Sequence, residues 1–231
     1  MLISVDFLKK IGVRGPEQWA GPLSASCAAQ GITTGPRIAA FLANGLCETQ
    51  MLTKVVENLN YTPSALLAQW PNHFPNNVAQ AVGRTIDHPA DQFRIAEYAY
   101  GGRYGNGNRG TGDGWRYRGH GLFNTTFKAN YLELAKSIGW RDSIEALPTF
   151  LETPTGACTS AVLYWQSRNC NLYADHGDIA GVRRLINGGL IGLPIVRLFF
   201  QNIFGNMSMV PTVETPTESL NQASLAKARA Q

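Results

Sequence analysis

Apolar residues recur along most of this chain at intervals of three and four, the spacing that lines one face of a helix. The pattern predicts helices over residues 5–11, 16–30, 36–52, 63–70, 75–84, 89–100, 127–138, 154–167, 179–186 and 194–204. Proline stands at or near the start of many of them, where its missing N–H costs nothing, and Thr62 and Thr153 precede two as candidate caps. Two-residue alternation is scarce, so the expected class is all-α. The segment 186–204 is the most apolar, but Asn187, Arg197, Gln201 and Pro194 interrupt it, which predicts a core helix and no stable membrane insertion.

Two stretches break the helical rhythm. Residues 101–121 are rich in glycine and asparagine yet carry Tyr104, Trp115 and Tyr117. Aromatics gain from burial or from stacking on a ligand, so the stretch reads as an ordered loop or short hairpin with a functional task. Residues 206–231 shift to Thr, Pro, Ser, Glu, Ala and Gln and read as a flexible tail, leaving 1–205 as the folded domain.

The candidate chemistry is acidic. Glu48 and, nine residues on, Glu57 stand in an otherwise acid-poor neighbourhood. A helix over 36–52, with Thr33 or Thr34 as N-cap, sets Ile38, Phe41, Leu42, Gly45, Thr49 and Leu52 on one stripe and Glu48 at its edge, partly out of water. Desolvation disfavours a charged carboxyl, which suits a proton donor. On the same helical wheel Glu57 falls on the opposite face, so it can meet Glu48 only if the helix ends first. The β-branched Thr53, Val55 and Val56 and the loop-forming Asn58 and Asn60 favour that turn. One protonated and one ionised carboxyl are what glycoside hydrolysis requires. The structural alternative is a helix-boundary residue and a solvated loop acid.

Composition narrows the picture. A chain of 231 residues suits one domain or two small lobes. A net charge of +4 is mildly basic, which suits anionic polymers; with no lysine-rich run, nucleic acid is not expected. Cys27, Cys47, Cys158 and Cys170 lack metal-type spacing and the four histidines are scattered, so no metal or other cofactor is expected. Reduced thiols are the default, with a Cys158–Cys170 bridge as the alternative. The N-terminus, with Asp6 and no apolar run ending at a cleavage site, does not read as a signal peptide, which implies synthesis in the cytoplasm.

Several blocks then line up in order: Glu48 ending a helix; Val56-Glu57-Asn58-Leu59-Asn60-Tyr61-Thr62; Arg103-Tyr104-Gly105-Asn106-Gly107; Gly112-Asp113-Gly114-Trp115-Arg116-Tyr117-Arg118-Gly119-His120-Gly121-Leu122; Asn130-Tyr131; Tyr164-Trp165-Gln166-Ser167; and Ile186-Asn187-Gly188-Gly189-Leu190. Over roughly residues 38–205 the chain resembles glycoside hydrolase family 19, in its phage endolysin branch. The resemblance implies a helical, lysozyme-like fold of two lobes with a cleft, cutting β-1,4 bonds between N-acetylated amino sugars with inversion. Glu48 matches the general acid and Glu57 the second acidic position, taken as the base. Inversion needs a water between the two carboxyls, hence a separation of about 6.5–9.5 Å. Thr126 matches a hydroxyl that holds this water. Asn124, Asn130, Asn187 and Arg197 match sugar-binding or supporting positions; Tyr61, beside the loop acid, is expected at the substrate, and Arg118 as a brace to Glu57 or Asp113 or as a site residue.

Three positions depart from the family pattern. Cys47 replaces a histidine, Asn124 a glutamine and Phe127 a glycine. The implied role is a monomeric, cofactor-free peptidoglycan-degrading endolysin. It is made in the host bacterial cytoplasm and released to the wall through a membrane pore formed by another protein. A chitinase on free chitin, a bacterial wall-degrading effector and a catalytically silent glycan-binding module are the alternatives.

Overall fold

The computed structural model describes residues 3–207, so the tail inferred over 206–231 lies almost wholly outside the described residues. Among them the chain forms thirteen α-helices: α1 Val5–Lys10, α2 Pro16–Ala29, α3 Gly35–Glu48, α4 Pro63–Gln69, α5 Asn76–Val82, α6 Gln92–Tyr100, α7 Asp113–Arg116, α8 Lys128–Ile138, α9 Leu147–Leu151, α10 Pro154–Ser167, α11 Cys170–Asp175, α12 Ile179–Asn187 and α13 Leu193–Met207. Extended pairing is confined to isolated antiparallel bridges, Val56 with His120 and His120 with Thr125. Among the described residues no helix is long and apolar enough to cross a membrane.

Local chemistry explains most helix starts. The hydroxyls of Thr62 and Thr153 accept from the backbone N–H groups of Ala65 and Gly156, and Asp91 and Asp178 cap α6 and α12 in the same way. Pro16, Pro63, Pro148 and Pro154 sit in first turns. The short helices α7, α9 and α11 carry too few residues for a periodic pattern and were not anticipated from the sequence.

The helix carrying Glu48 differs most from expectation. It stops at Glu48, four residues short of the predicted end. Thr49 closes it: its N–H and hydroxyl both donate to the Gly45 carbonyl, and its hydroxyl accepts from the Leu52 N–H. Gln50, Met51 and Leu52 then run through left-handed backbone at φ 49°, 64° and 62°, a conformation that disfavours non-glycine residues and that surrounding packing must hold. Glu48 is therefore presented at a helix end, where the chain has already turned away.

The buried residues form two lobes. The first packs α1, α2, α3 and α10–α13 around Phe41 and Trp165, whose rings meet edge to face at 5.5 Å. The second has two clusters. One lies among α4, α5 and α6 (Leu59, Leu66, Val82, Ile95, Tyr100); the other lies between α8, α9 and Tyr117. The glycine-rich stretch ties these parts together and is ordered throughout. Buried Glu97 accepts from the backbone N–H groups of Gly110, Gly112 and Trp115. Asn106 donates to the Tyr100 carbonyl and accepts from the Lys128 N–H. Leu122 enters the first core while Phe127 packs on the second, so the 119–127 segment bridges the lobes.

Candidate active site

An open cavity of about 520 Å³ runs between α8 and α10, and Glu48 is among the residues that line it. Its walls are two helical stripes of identical spacing: Asn130, Glu133, Leu134 and Ser137 on α8, and Ser160, Leu163, Tyr164 and Ser167 on α10. Positions i, i+3, i+4 and i+7 fall on one helix face, so each helix turns a mixed polar and apolar face inward. The 123–127 segment forms the floor between them, and Asn187, at the end of α12, lies opposite.

Glu48 does not stand in a purely apolar niche. Its carboxyl is paired with Arg183, a guanidinium 2 % exposed, which also donates to the Ile191 carbonyl through Nε and reaches the Asn44 side chain at 3.4 Å. A planar, always-charged donor held at three points fixes the orientation of the carboxyl at the cavity edge. Gly192 makes room for it. At φ 77° it adopts the left-handed backbone that glycine tolerates, and a Cβ there would lie 3.2 Å from both Arg183 Nη2 and Cys47 Sγ. Burial pushes the Cys47 thiol up, against the lowering effect of Arg183, and keeps it protonated beside the acid.

Glu57 approaches from the second lobe. Its N–H donates to the Gly119 carbonyl at 2.8 Å, and its Oε2 accepts from the Gly119 N–H at 3.0 Å. Oε1 accepts from the Tyr100 hydroxyl at 2.6 Å. The turn expected from Val55, Val56 and Asn58 thus takes the form of a short bridge to the 119–121 segment, which aims Glu57 at the hairpin that floors the cavity. Glu57 itself is not among the residues lining the cavity. The contact runs through Gly119, where a Cβ would meet Asn124 Oδ1 at 3.0 Å and Glu57 Cβ at 3.2 Å. Only a residue without a side chain lets Glu57 and Asn124 lie this close.

The remaining sequence candidates divide by place. Asn124, Thr126 and Asn130 join Glu48 and Asn187 on the cavity wall. The Thr126 hydroxyl donates to the Asn124 carbonyl at 2.8 Å, and Asn130 Nδ2 donates to the Thr126 carbonyl at 2.7 Å, so the three are mutually braced. Asn124 itself takes left-handed backbone at φ 52°. Phe127, which the resemblance sets at a glycine position, sits at φ 71°, in left-handed backbone that glycine tolerates best. Its ring contacts with Tyr100 (5.3 Å) and Tyr104 (4.8 Å) hold it there.

Tyr61 is half-buried against Trp70 in the second lobe, edge to face at 5.2 Å. Burial, and then the charge of nearby Glu57, push its phenol up. Arg118 forms neither expected pair. It stacks 3.6 Å over Trp115 and donates to the Trp115 carbonyl, while Asp113 is paired with Arg116 and Lys128. Arg197 lies on an exposed face of α13, outside the cavity wall. The arginine at Glu48 is Arg183 instead. A signal for it was present, since Ile179, Val182, Arg183 and Ile186 form the buried stripe of α12, and a charge on such a stripe needs a partner. Tyr100 left no comparable signal. Among the described residues no cluster of His, Cys, Asp and Glu is placed to hold a metal.

A two-lobed all-α body with a sugar-sized cavity edged by a glutamate and braced asparagines is that of a helical glycoside hydrolase of lysozyme-like fold. A Haemophilus influenzae protein described as a glycosyl hydrolase family 19 domain-containing protein is 32 % identical over 197 residues, covering 84 % of this chain and 91 % of that protein. The chain belongs to glycosyl hydrolase family 19. No family model matches it. Among solved structures, a bacterial family 19 chitinase superposes with a TM-score of 0.56 at 18 % identity, covering 88 % of this chain and 95 % of its own. Chitinase C from Streptomyces griseus does so with a TM-score of 0.52 at 18 % identity, covering 87 % and 73 %.

Proposed function

We propose that this glycoside hydrolase is a peptidoglycan-degrading endolysin, cutting β-1,4 bonds between N-acetylmuramic acid and N-acetylglucosamine with inversion. In this reading Glu48 protonates the bridging oxygen as the bond breaks. A water activated by Glu57 and steadied by Thr126 attacks the anomeric carbon from the opposite face. Inversion follows because the leaving group and the water occupy opposite sides of the ring. Asn124, Asn130 and Asn187 offer amides to acetamido and hydroxyl groups along the strand. Tyr61 and Arg118 support the base side of the site.

The observation that carries this reading is the carboxyl of Glu48, fixed by Arg183 on the wall of a cavity whose Asn124 also packs on Gly119, the residue holding Glu57. The enzyme then acts on the wall after passing the inner membrane through a pore made by another protein. Outer-membrane-permeabilised Gram-negative cells lose turbidity on addition of the protein and do not with Glu48→Gln; an unchanged rate in that variant removes Glu48 from the role of acid. Mass spectrometry of the products identifies the bond cut: reducing N-acetylmuramic acid ends support the muramidase reading, and release of peptides alone overturns it.

One observation favours a second reading, action on chitin. Both solved structures named above are chitinases. Release of oligomers from colloidal chitin with no product from purified sacculi establishes that reading in place of the first. Binding to sacculi without any new reducing end points to a silent module.

A further inference from the structure

Two charged side chains on the cavity wall, Arg168 and Glu133, have no ion-pair partner among the described residues. From Ser160 to Arg168 the cavity follows α10 for about 12 Å at 1.5 Å per residue, and Arg168 marks the end of that stretch. Arg168 is the sole cation on its wall. It is exposed, its guanidinium lies 5.1 Å from the centre of the Tyr164 ring, and no carboxylate pairs with it among the described residues. Glu133, on the α8 stripe, is the sole carboxylate on the wall besides Glu48, and it too has no cation paired with it among the described residues. Opposite charges thus face one groove from its two walls without closing on each other, and Ser137 and Ser167 lie beside them.

We propose that this end of the cavity receives the peptide stem of peptidoglycan, with Arg168 taking a stem carboxylate and Glu133 a stem ammonium. The assignment rests on the muramidase reading and deepens it by naming a second recognition element. Chitin, a neutral homopolymer, offers nothing to either charge. A stem that carries a free amino and a free carboxyl group on a diamino acid offers both, and a guanidinium binds a carboxylate through two parallel hydrogen bonds. Arg168 is preheld by Tyr164, so little side-chain freedom is lost on binding.

The test compares wild type with Arg168→Ala and Glu133→Gln on three substrates: intact sacculi, glycan strands stripped of stems by an amidase, and chitin oligomers. Expected is a loss of about tenfold in kcat/KM on sacculi for each variant, mostly in KM, with unchanged rates on stripped strands; a tenfold change corresponds to about 1.4 kcal/mol. An equal loss on stripped strands overturns the stem assignment, because the charge then reads the sugar or its lactyl carboxylate. No loss on sacculi overturns it as well. Wild type that cuts chitin oligomers and neither peptidoglycan substrate refutes the muramidase reading itself, an outcome separable from the others because it is read before any variant is made. Circular dichroism melts of both variants, at exposed positions, are expected within about 1–2 °C of wild type, so failure to fold does not cloud the result.

Discussion

Glu48 and Arg183 form the pair on which the site depends, and its weakness lies in its burial. An arginine 2 % exposed cannot shed its charge, so removing either partner leaves the other uncompensated. Arg183→Met is expected to cost about 3 kcal/mol in urea unfolding and most of the activity, while Glu48→Gln, which keeps a polar partner for Arg183, costs far less stability. Activity of Glu48→Gln falls by about 100-fold or more, the usual contribution of a placed general acid, measured as reducing ends released per minute. Tyr100 makes a separate case. Its hydroxyl gives Glu57 one of its two donors, and burial together with the Glu57 charge pushes that phenol well above its ordinary range, so it stays a donor at any working pH. At this scale Glu48 and Glu57 stood out as candidates because carboxylates are rare in that part of the chain. The partner of each did not, since Arg183 lies 135 positions from Glu48 and Tyr100 lies 43 from Glu57.

The glycine-rich segment and the helix ends are where the elements create function. Gly119 is required for space, with Glu57 on one side and Asn124 on the other. Gly119→Ala is expected to lower kcat/KM by about tenfold while moving the unfolding midpoint by only about 1 kcal/mol. The added methyl must push apart side chains that can yield a few tenths of an ångström, but whose placement matters to the proposed chemistry. A parallel drop in activity and stability, read from kinetics and urea melts on the same sample, rejects that division. The helical periods predicted nine helices, α1, α2, α4, α5, α6, α8, α10, α12 and α13, to within three residues at each end. They overran α3, because Leu52 prolongs the apolar stripe whereas the backbone has already turned left-handed at Gln50. Periodicity reports which face is apolar; the Thr49 hydroxyl and the packing beyond it decide where the helix stops.

Across the whole molecule, acid and redox responses follow from what is buried. His120, at the junction of both bridges, is 1 % exposed; its Nδ1 lies 2.6 Å from the Tyr131 hydroxyl and 2.8 Å from the Arg118 carbonyl. Burial lowers its pKa from 6.5 to about 4. Glu152, 3.4 Å from Nε2, pulls the other way, but that side chain is half in water and its attraction is screened. Because the unfolded chain takes up the proton first, stability is full above about pH 6.5, declines on acidification, and levels off below about pH 4, with a total loss of about 3 kcal/mol at most. Urea midpoints measured from pH 7 to 4 are expected to show that decline in wild type and a shallower one in His120→Gln.

All four cysteines are free, so the Cys158–Cys170 alternative is not realised. Burial holds the Cys27 and Cys170 thiols at about 12 and pushes Cys158 up as well. Dithiothreitol should leave the melting temperature unchanged; a drop on reduction contradicts this. The sequence by itself determined the helical class and most helix starts, and it singled out Glu48 and Glu57 as the candidate acids. The class and the starts follow from local forces: the period of apolar side chains, the fixed φ of proline, and cap hydroxyls meeting unpaired N–H groups a few residues away. Only the tertiary structure decided which arginine holds Glu48, that Glu57 is held by Gly119, and that two like-spaced helix faces enclose a cavity. Each of these joins residues far apart in the chain, and no local preference encodes which distant groups burial will bring together.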